Sequence, residues 1–355
     1  MKQIKILGAG ISGLTAAINL AKNGYKVDIY DVNKDCGARF NGDVQGFENW
    51  SEKEDSLEQL KKMGIDINFD CDPFLFATFT DCKKMSTLVS EKPLIYIVKR
   101  GPSEGTVDFG MKKQAFRAGV KIHFGKTIPK DETDIVATGP IFKEVPFVDK
   151  GIIFKTDSKD TIMFVLNDEL AYEGYAYLFV TGGYGCIGTV VNKLQKANEY
   201  FEKTKDFFVK EFKVNIKSPR PAGGIGSFSL KHVLEVKHKK KDTLYIGEAA
   251  GLQDLLLGFG MRFAMESGYL AAQSIIHNFD YEKAAKKKFT NRLKAGMVNR
   301  YLWEKFNKRI YSLMINHPKS GKNLLCSMSN FNLVQRMIYP FALSYLKKKY
   351  PMLRL

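Results

Sequence analysis

The chain has 355 residues, of which 45% are hydrophobic and 26% charged. That composition excludes a disordered chain and leaves room for a sizeable core in one large or two intertwined domains. Its net charge of +17 is lopsided: residues 281–355 hold 17 of the 55 lysines and arginines but only two of the 38 acids, so this last fifth carries +15 and the rest +2. Five scattered cysteines without a CxxC pair fit a reducing compartment and argue against a zinc site or a disulfide framework. A strand begins close to Met1 and no run of about 18 uncharged apolar residues follows, so neither a secretory signal nor a membrane span is expected, and the expected location is the cytoplasm.

The first thirty residues, MKQIKILGAGISGLTAAINLAKNGYKVDIYD, read as a strand, a helix ending near Gly24, and a second strand ending at Asp31. The turn between the first strand and the helix is G-x-G-x-x-G, and Asp31 stands 18 residues after its last glycine. Strand, glycine turn, helix, second strand and terminal acid together form a dinucleotide-binding βαβ unit. Gly8 permits the tight turn, Gly10 lets backbone N–H groups approach a pyrophosphate, and Gly13 lets the helix lie close to the strand. The start of the helix, at Ile11 and Ser12, adds partial positive charge where the phosphates sit. Asp31 is placed to accept hydrogen bonds from ribose hydroxyls.

An NAD dehydrogenase would continue with alternating strands and helices. Instead, NKDCGARFNGDVQGFENWS is irregular and rich in Gly and Asn, and a short helix, EDSLEQLKKMG, follows. The segment VKRGPSEGTVDFGMKKQAFRAGVKIHFG reads as a helix and then a strand, and TDIVATGP as a short strand and turn at Thr138 and Gly139. From about Gly151 the pattern changes to short strands, GIIFKT, DTIMFVLN, YAYLFVTG and GTVV, the signature of an antiparallel sheet. A long amphipathic helix, NKLQKANEYFEKTKDFFVKEF, comes next. Alternation along YAYLF puts Tyr175, Tyr177 and Phe179 on one face, which suits a long apolar substrate as well as plain core packing. GYGCIG, Gly183–Gly188, repeats G-x-G-x-x-G without an alanine-rich helix or a following strand and acid; it reads as a glycine-bearing hairpin. Near Thr243 the chain returns to strand, glycine turn and helix in DTLYIGEAAGLQDLLLGFGMRFAMESGYLAAQSII.

The N-terminal fingerprint together with GEAAG…GFGMRFAMESGYLAA resembles the FAD-dependent oxidoreductases of the para-hydroxybenzoate-hydroxylase fold, and within them most the geranylgeranyl reductase family, which saturates isoprenoid chains. The resemblance covers roughly residues 1–275. It implies FAD as cofactor, with Gly247 and Glu248 at the ribityl chain (Glu standing for the usual Asp), and Gly258, Gly260 and Met261 at the isoalloxazine. Leu255 replaces the usual proline of that loop. The resemblance also places Arg39 and Arg100 near the phosphates or flavin and makes Tyr175, Tyr177 and Phe179 the substrate face. Val180 stands where the family has proline, and no lysine follows. Cys36 lies in the segment that resembles the family's cysteine-bearing loop and is a candidate redox or proton-donating residue, the alternative being an inert buried thiol. No metal ligand set is expected. His123 reads as structural. Without a second dinucleotide domain, electrons would come from NAD(P)H bound transiently or from a small redox protein.

The basic tail, 281–355, reads as three or four helices broken or kinked at Pro318 and Pro340. Its aromatic and leucine content favours an anionic membrane surface or solvated packing helices over nucleic acid. The expected architecture is an α/β fold with an α+β insertion, namely a Rossmann-like FAD-binding domain (1–70, 91–145 and 241–280), a substrate-side segment (71–90), an antiparallel-sheet substrate domain (146–240) and the basic helical region (281–355). The expected activity is reduction of C=C bonds in an isoprenoid or prenyl lipid by hydride from reduced flavin. The alternatives are a flavin monooxygenase or halogenase acting on an aromatic or polyketide, and a non-catalytic FAD-bound lipid-binding protein. Oligomeric state is open.

Overall fold

The computed structural model describes residues 2–140, 146–192, 194–226, 228, 237–238 and 241–353; the expected domain boundaries near 145 and 240 lie outside the described residues. Its strands in chain order are β1 (Gln3–Leu7), β2 (Lys26–Asp31), β3 (Asp43–Glu48), β4 (Cys71–Phe74), β5 (Phe76–Thr80), β6 (Met85–Val89), β7 (Ile95–Arg100), β8 (Lys121–Phe124), β9 (Ile135–Val136), β10 (Phe147–Lys155), β11 (Thr161–Val165), β12 (Tyr175–Thr181), β13 (Tyr184–Val191), β14 (Lys217–Gly226), β15 (Lys237–His238) and β16 (Lys241–Tyr245). The helices are α1 (Ile11–Lys22), α2 (Ser56–Lys62), α3 (Val107–Arg117), α4 (Ala197–Phe212), α5 (Met261–His277), α6 (Tyr281–Asn316), α7 (Pro318–Ser327) and α8 (Leu333–Lys349).

A six-stranded sheet in the order β15-β16-β9-β1-β2-β8 is parallel except for β15 at its edge. Helices α1 and α5 pack on each other beside it; a Cβ on Gly268 would stand 2.3 Å from the Ser12 carbonyl oxygen, so only glycine allows this crossing. The irregular stretch expected after Asp31 contains a strand: β3 pairs with β7 and, through it, with β4. Its glycine was a misleading signal, because Gly46 is there to let Ile95 pack, a Cβ standing 2.3 Å from Ile95 Cδ1.

The third sheet, in the order β14-β10-β13-β12-β11-β5-β6, is antiparallel apart from the β11–β5 pair, so strands from residues 76–89 belong to it. Strand β14, not foreseen because of Pro219 and Pro221, runs along its edge, where a strand tolerates residues that cannot donate to a ladder. One face of β12 carries Tyr175, Tyr177 and Phe179, while Ala176, Leu178 and Val180 pack under α4. The helix expected from Asn192 begins at Ala197 after a single 3₁₀ turn, Leu194–Lys196.

Gly182 and Gly183, both with positive φ (54° and 80°), turn β12 into β13 as a two-residue hairpin. The remaining glycines of the second G-x-G-x-x-G lie inside β13. A Cβ on Gly185 would meet the Phe154 ring at 2.5 Å, and one on Gly188 would meet the Tyr177 hydroxyl at 2.4 Å.

In the tail, Pro340 lies inside α8 without ending it, Pro318 opens α7, and the kink falls at Phe306 within α6 (φ −131°, ψ 26°). Part of the tail's charge is consumed internally. Arg300 is 1% exposed and pairs with Glu304, Lys349 pairs with Glu304 at 2.8 Å and with Glu173, and Arg292 pairs with Glu266. Among the described residues no helix is long and apolar enough to cross a membrane.

Candidate functional site

The parallel sheet ends and the aromatic face of the third sheet enclose one cleft of about 800 Å³. The cleft begins at the first glycine turn, whose three glycines have three different duties. Gly8 has φ +110°, and a Cβ there would stand 2.3 Å from the carbonyl oxygen of Ala137 at the end of β9. Gly13 would collide with the Gly8 carbonyl oxygen at 2.1 Å. Gly10, on the cleft wall with Ile11 and Ser12, has nothing within 4 Å of its would-be Cβ, so the space above it is free for a ligand. Gly10 caps α1 with no side chain and no acid stands in the first turn, so the N–H groups there keep their donors and the helix its positive end.

Asp31 lines the cleft at the end of β2. Its Oδ2 accepts from the Ala9 N–H at 2.6 Å and its Oδ1 from the Asn33 N–H and Nδ2, both at 2.8 Å. A carboxylate has about four acceptor positions, so one remains for a ligand hydroxyl. Thr138 and Gly139 lie on the opposite wall, after β9.

The second glycine-rich element meets the first directly. Gly247 (φ +59°) would bring a Cβ within 2.8 Å of Ser12 Oγ, and its N–H donates to Ser267 Oγ at 2.9 Å. Neither Gly247 nor Gly13 lines the cleft; Gly13 lets α1 lie against the turn after β1, and Gly247 lets the turn before α5 approach Ser12 of α1. Glu248 does line it, and its Oε2 is buried without a hydrogen-bond partner. Burial pushes its carboxyl pKa up, against the pull of Arg39 and Arg100. Helix α5 starts at Gly260, again without a side-chain cap or an acid in its first turn. The loop before it holds its shape without proline: Asp254 accepts from the Leu257 N–H, the Gly258 N–H donates to the Asp254 carbonyl at 3.1 Å, and Gln253 Nε2 donates to the Gly258 carbonyl at 3.0 Å. Leu255 is buried beneath the loop, and Gly258, Gly260 and Met261 line the cleft.

The two arginines differ. Their guanidinium carbons stand 4.5 Å (Arg39) and 4.4 Å (Arg100) from the centroid of the Phe40 ring. Arg100 lines the cleft but is buried: it holds Asp108 through two bonds, Nε to Oδ2 at 2.8 Å and Nη2 to Oδ1 at 2.9 Å, and donates from Nη1 to Gln45 Oε1 at 3.4 Å, so three of its five donors are spent inside the protein. Arg39 is exposed on the cleft wall and makes no ion pair with another described residue, which leaves its fork available to an anion. Cys36 sits in the core below Gly37 and Ala38, 1% exposed, and does not line the cleft; burial and the neighbouring Asp35 raise its thiol pKa, so it stays protonated. His123 bonds Asp28 at 2.7 Å and stacks on Tyr30.

Tyr175, Tyr177 and Phe179 close the far side, neighbouring ring centroids lying 6.1 and 4.8 Å apart. The Tyr175 hydroxyl donates to the Leu257 carbonyl, tying this face to the loop before α5. Sequence reasoning missed Asp149 on β10, which also lines the cleft and accepts the Tyr177 hydroxyl at 2.9 Å on Oδ2.

Residues 6–90 match the family model of NAD(P)-binding Rossmann-like domains. No curated protein matches the chain in sequence. Among solved structures, the chain is similar to a geranylgeranyl bacteriochlorophyll reductase-like protein from Thermoplasma acidophilum (TM-score 0.68, 17% identity, 99% of this chain and 97% of that one). It is similar also to a flavoprotein/dehydrogenase from Cytophaga hutchinsonii (0.65, 16%, 99% and 99%) and to a flavin-dependent halogenase (0.60, 14%, 98% and 78%). The class defined by this likeness is one of fold. The chain has the fold of the flavin-dependent oxidoreductases, with a Rossmann-like dinucleotide domain, a separate largely antiparallel sheet over the cleft, and C-terminal helices.

Proposed function

We propose that the chain is an FAD-dependent oxidoreductase that reduces C=C bonds of an isoprenoid lipid. The observation that carries this reading is a single cleft joining two uncapped helix starts, at Gly10 and Gly260, to the aromatic face of β12. The residues present fit FAD. The N–H groups at Gly10, Ile11 and Ser12, together with Arg39, suit a pyrophosphate, and Asp31 suits a ribose hydroxyl. The partnerless Oε2 of Glu248 is an acceptor for a ribityl hydroxyl, which would satisfy a buried atom that otherwise costs about 1–3 kcal/mol. The backbone from Gly258 to Met261, at the positive end of α5, suits the isoalloxazine. When bound and reduced, FAD supplies a hydride. Tyr175, Tyr177 and Phe179 hold an apolar chain and exclude water from it. The electron donor is external, either NAD(P)H bound transiently or a small redox protein.

The test is to reduce the purified protein anaerobically and mix it separately with a geranylgeranyl lipid and with oxygen. Reoxidation by the lipid with a saturated product supports the reductase. The likeness to a flavin-dependent halogenase favours a second reading, a monooxygenase or halogenase; oxygen-dependent consumption of NAD(P)H with a hydroxylated or halogenated aromatic product, and no response to the lipid, would establish it instead. A protein that retains flavin yet answers neither substrate is a lipid-binding flavoprotein without turnover.

The partner we propose for the tail is an anionic membrane surface. Helix α8 exposes Leu333, Val334, Met337 and Phe341 (63–75% of each) on one face, continued by the exposed Lys347 and Lys348 and flanked by Arg336. An apolar stripe set among lysines and arginines suits the headgroup boundary of anionic lipid, where a prenyl substrate would be collected.

A further inference from the structure

Asp149 is a cleft residue for which neither the dinucleotide cradle nor the loop before α5 has a use. It stands on β10, paired across the sheet with Val190 of β13 and Gly224 of β14. Its Oδ2 accepts the Tyr177 hydroxyl at 2.9 Å, while its Oδ1 is buried and has no hydrogen-bond partner. No lysine, arginine or histidine forms an ion pair with it among the described residues. The titratable groups facing it are Tyr175 and Tyr177 from β12, Cys186 from β13 and Asp43 from β3, and none of them brings positive charge. Burial pushes the Asp149 carboxyl up to about 7, with Tyr177 pulling it down and Asp43 pushing it further up. A carboxylic acid with one oxygen fixed by a donated hydrogen bond and the other unengaged is built to give a proton away.

We propose that Asp149 is the proton donor of the cleft, with Tyr177 as its positioning residue, for an alkene held against the aromatic face of β12. The inference rests on the reductase reading. Saturating a C=C bond requires a hydride at one carbon, which the reduced flavin supplies, and a proton at the other. The π electron pair forms the second C–H bond with the proton of Asp149, whose O–H bond breaks. The carboxylate left behind keeps the Tyr177 hydrogen bond and recovers its proton from water before the next turnover. Tyr177 reaches Asp149 over Gly188, whose missing side chain leaves it the room. An arrangement that spans three strands for one hydroxyl–carboxyl bond fixes the acid in place.

The test combines a titration that needs no turnover with a single-turnover measurement. With aspartate labelled at the carboxyl carbon, NMR of the wild-type protein should show one aspartate with a midpoint of about 7. That signal should be missing in Asp149→Asn and should move to higher pH in Tyr177→Phe, which loses the bond that favours the charged form. In anaerobic mixing with a geranylgeranyl lipid, reoxidation of the reduced protein should be slower in Asp149→Asn by about 100- to 10,000-fold, with lipid affinity within a few-fold of wild type. Wild-type reoxidation rates in Asp149→Asn, or no aspartate titrating near neutrality, would overturn the proposal. If Asp149 titrates as expected while the wild-type protein is not reoxidised by the lipid, the reductase reading fails and the alkene falls with it as proton acceptor.

Discussion

Gly188 lies directly under the Tyr177 ring, and a Cβ on it would stand 2.4 Å from the Tyr177 hydroxyl. The pair sits opposite in the β12–β13 ladder, so neither backbone can retreat without opening the sheet. Gly188→Ala should therefore swing Tyr177 off Asp149 and destabilise the protein by about 1–3 kcal/mol, the usual cost of overpacking. Denaturant unfolding of Gly188→Ala, Tyr177→Ala and the double variant checks this. The loss caused by Gly188→Ala should largely vanish when Tyr177 is already alanine, and purely additive losses would show that the two residues are not in conflict.

The glycines of the first turn separate fold from ligand. Gly13→Ala places a methyl 2.1 Å from a backbone oxygen and should lower the melting temperature with or without flavin. Gly10→Ala meets no protein atom within 4 Å; beyond the poorer helix cap, worth up to about 1 kcal/mol, its effect should fall on flavin retention, weakened at least about tenfold. Melting curves and flavin fluorescence of the two variants read the two effects apart. A Gly10→Ala protein that binds flavin as tightly as wild type would remove the phosphates from that space.

The Arg100–Asp108 pair should behave as a buried ion pair and not as a ligand contact. Asp108 also accepts the Gly101 N–H at 2.9 Å, and a Cβ on Gly37 would touch its carboxyl carbon at 2.6 Å, so the pair fastens the loop bearing Arg39 to β7 and α3. Burial pushes the Asp108 pKa up, but the Arg100 charge and the hydrogen bonds outweigh it and hold it below its ordinary value of 3.8. A carboxyl depressed in the folded state adds stability that is present above the unfolded value and is lost as pH falls through the folded one. Arg100→Met should cost about 3–5 kcal/mol at pH 7, because it strands a buried charge, and the penalty should shrink below about pH 4 as Asp108 takes up a proton. Urea unfolding at both pH values checks the sign; an unchanged or larger penalty in acid contradicts it.

How much of this could be read in the chain follows from how local each cause is. The βαβ unit was legible because strand, glycine turn, helix, second strand and terminal acid follow one another within about thirty residues, although the backbone that demands Gly8 is that of the distant Ala137. GEAAG with GFGM was legible only through its resemblance to a family, since Gly247 answers to Ser12 at the other end of the chain. Arg100 was placed near the phosphates or flavin by the resemblance alone; it does line the cleft, while its ion-pair partner Asp108 lies across a turn, in the next helix, where spacing alone predicts no contact. Asp149 was silent: Val148, Asp149 and Lys150 all line the cleft, and nothing local says that the acid is the one buried against a hydroxyl. Its partner Tyr177 is two strands away in the sheet and 28 residues on in the chain. The second G-x-G-x-x-G is explained by the same long-range packing, since Gly185 and Gly188 yield space to Phe154 and Tyr177. In the tail, Pro340 misled because an exposed helix tolerates it where no neighbour penalises the lost hydrogen bond.

The exposed face of α8 yields the last prediction. Leu333, Met337 and Phe341 lie one or two turns apart on one side of the helix, and each is at least 68% exposed, so replacing all three with glutamine should leave the fold intact. The buried side of the same helix, at Ala342 and Leu346, is untouched by the change. Wild-type protein should sediment with vesicles containing phosphatidylglycerol and much less with pure phosphatidylcholine, and added salt should weaken the binding because the contribution of each lysine or arginine, about 1 kcal/mol near such a surface, is screened. The triple glutamine variant should bind anionic vesicles at least about tenfold less tightly, since the transfer of apolar side chains into the headgroup boundary is lost. Equal binding to neutral and anionic vesicles would refute the charge-driven contact. Unchanged binding of the triple variant would assign whatever contact exists to another part of the basic region.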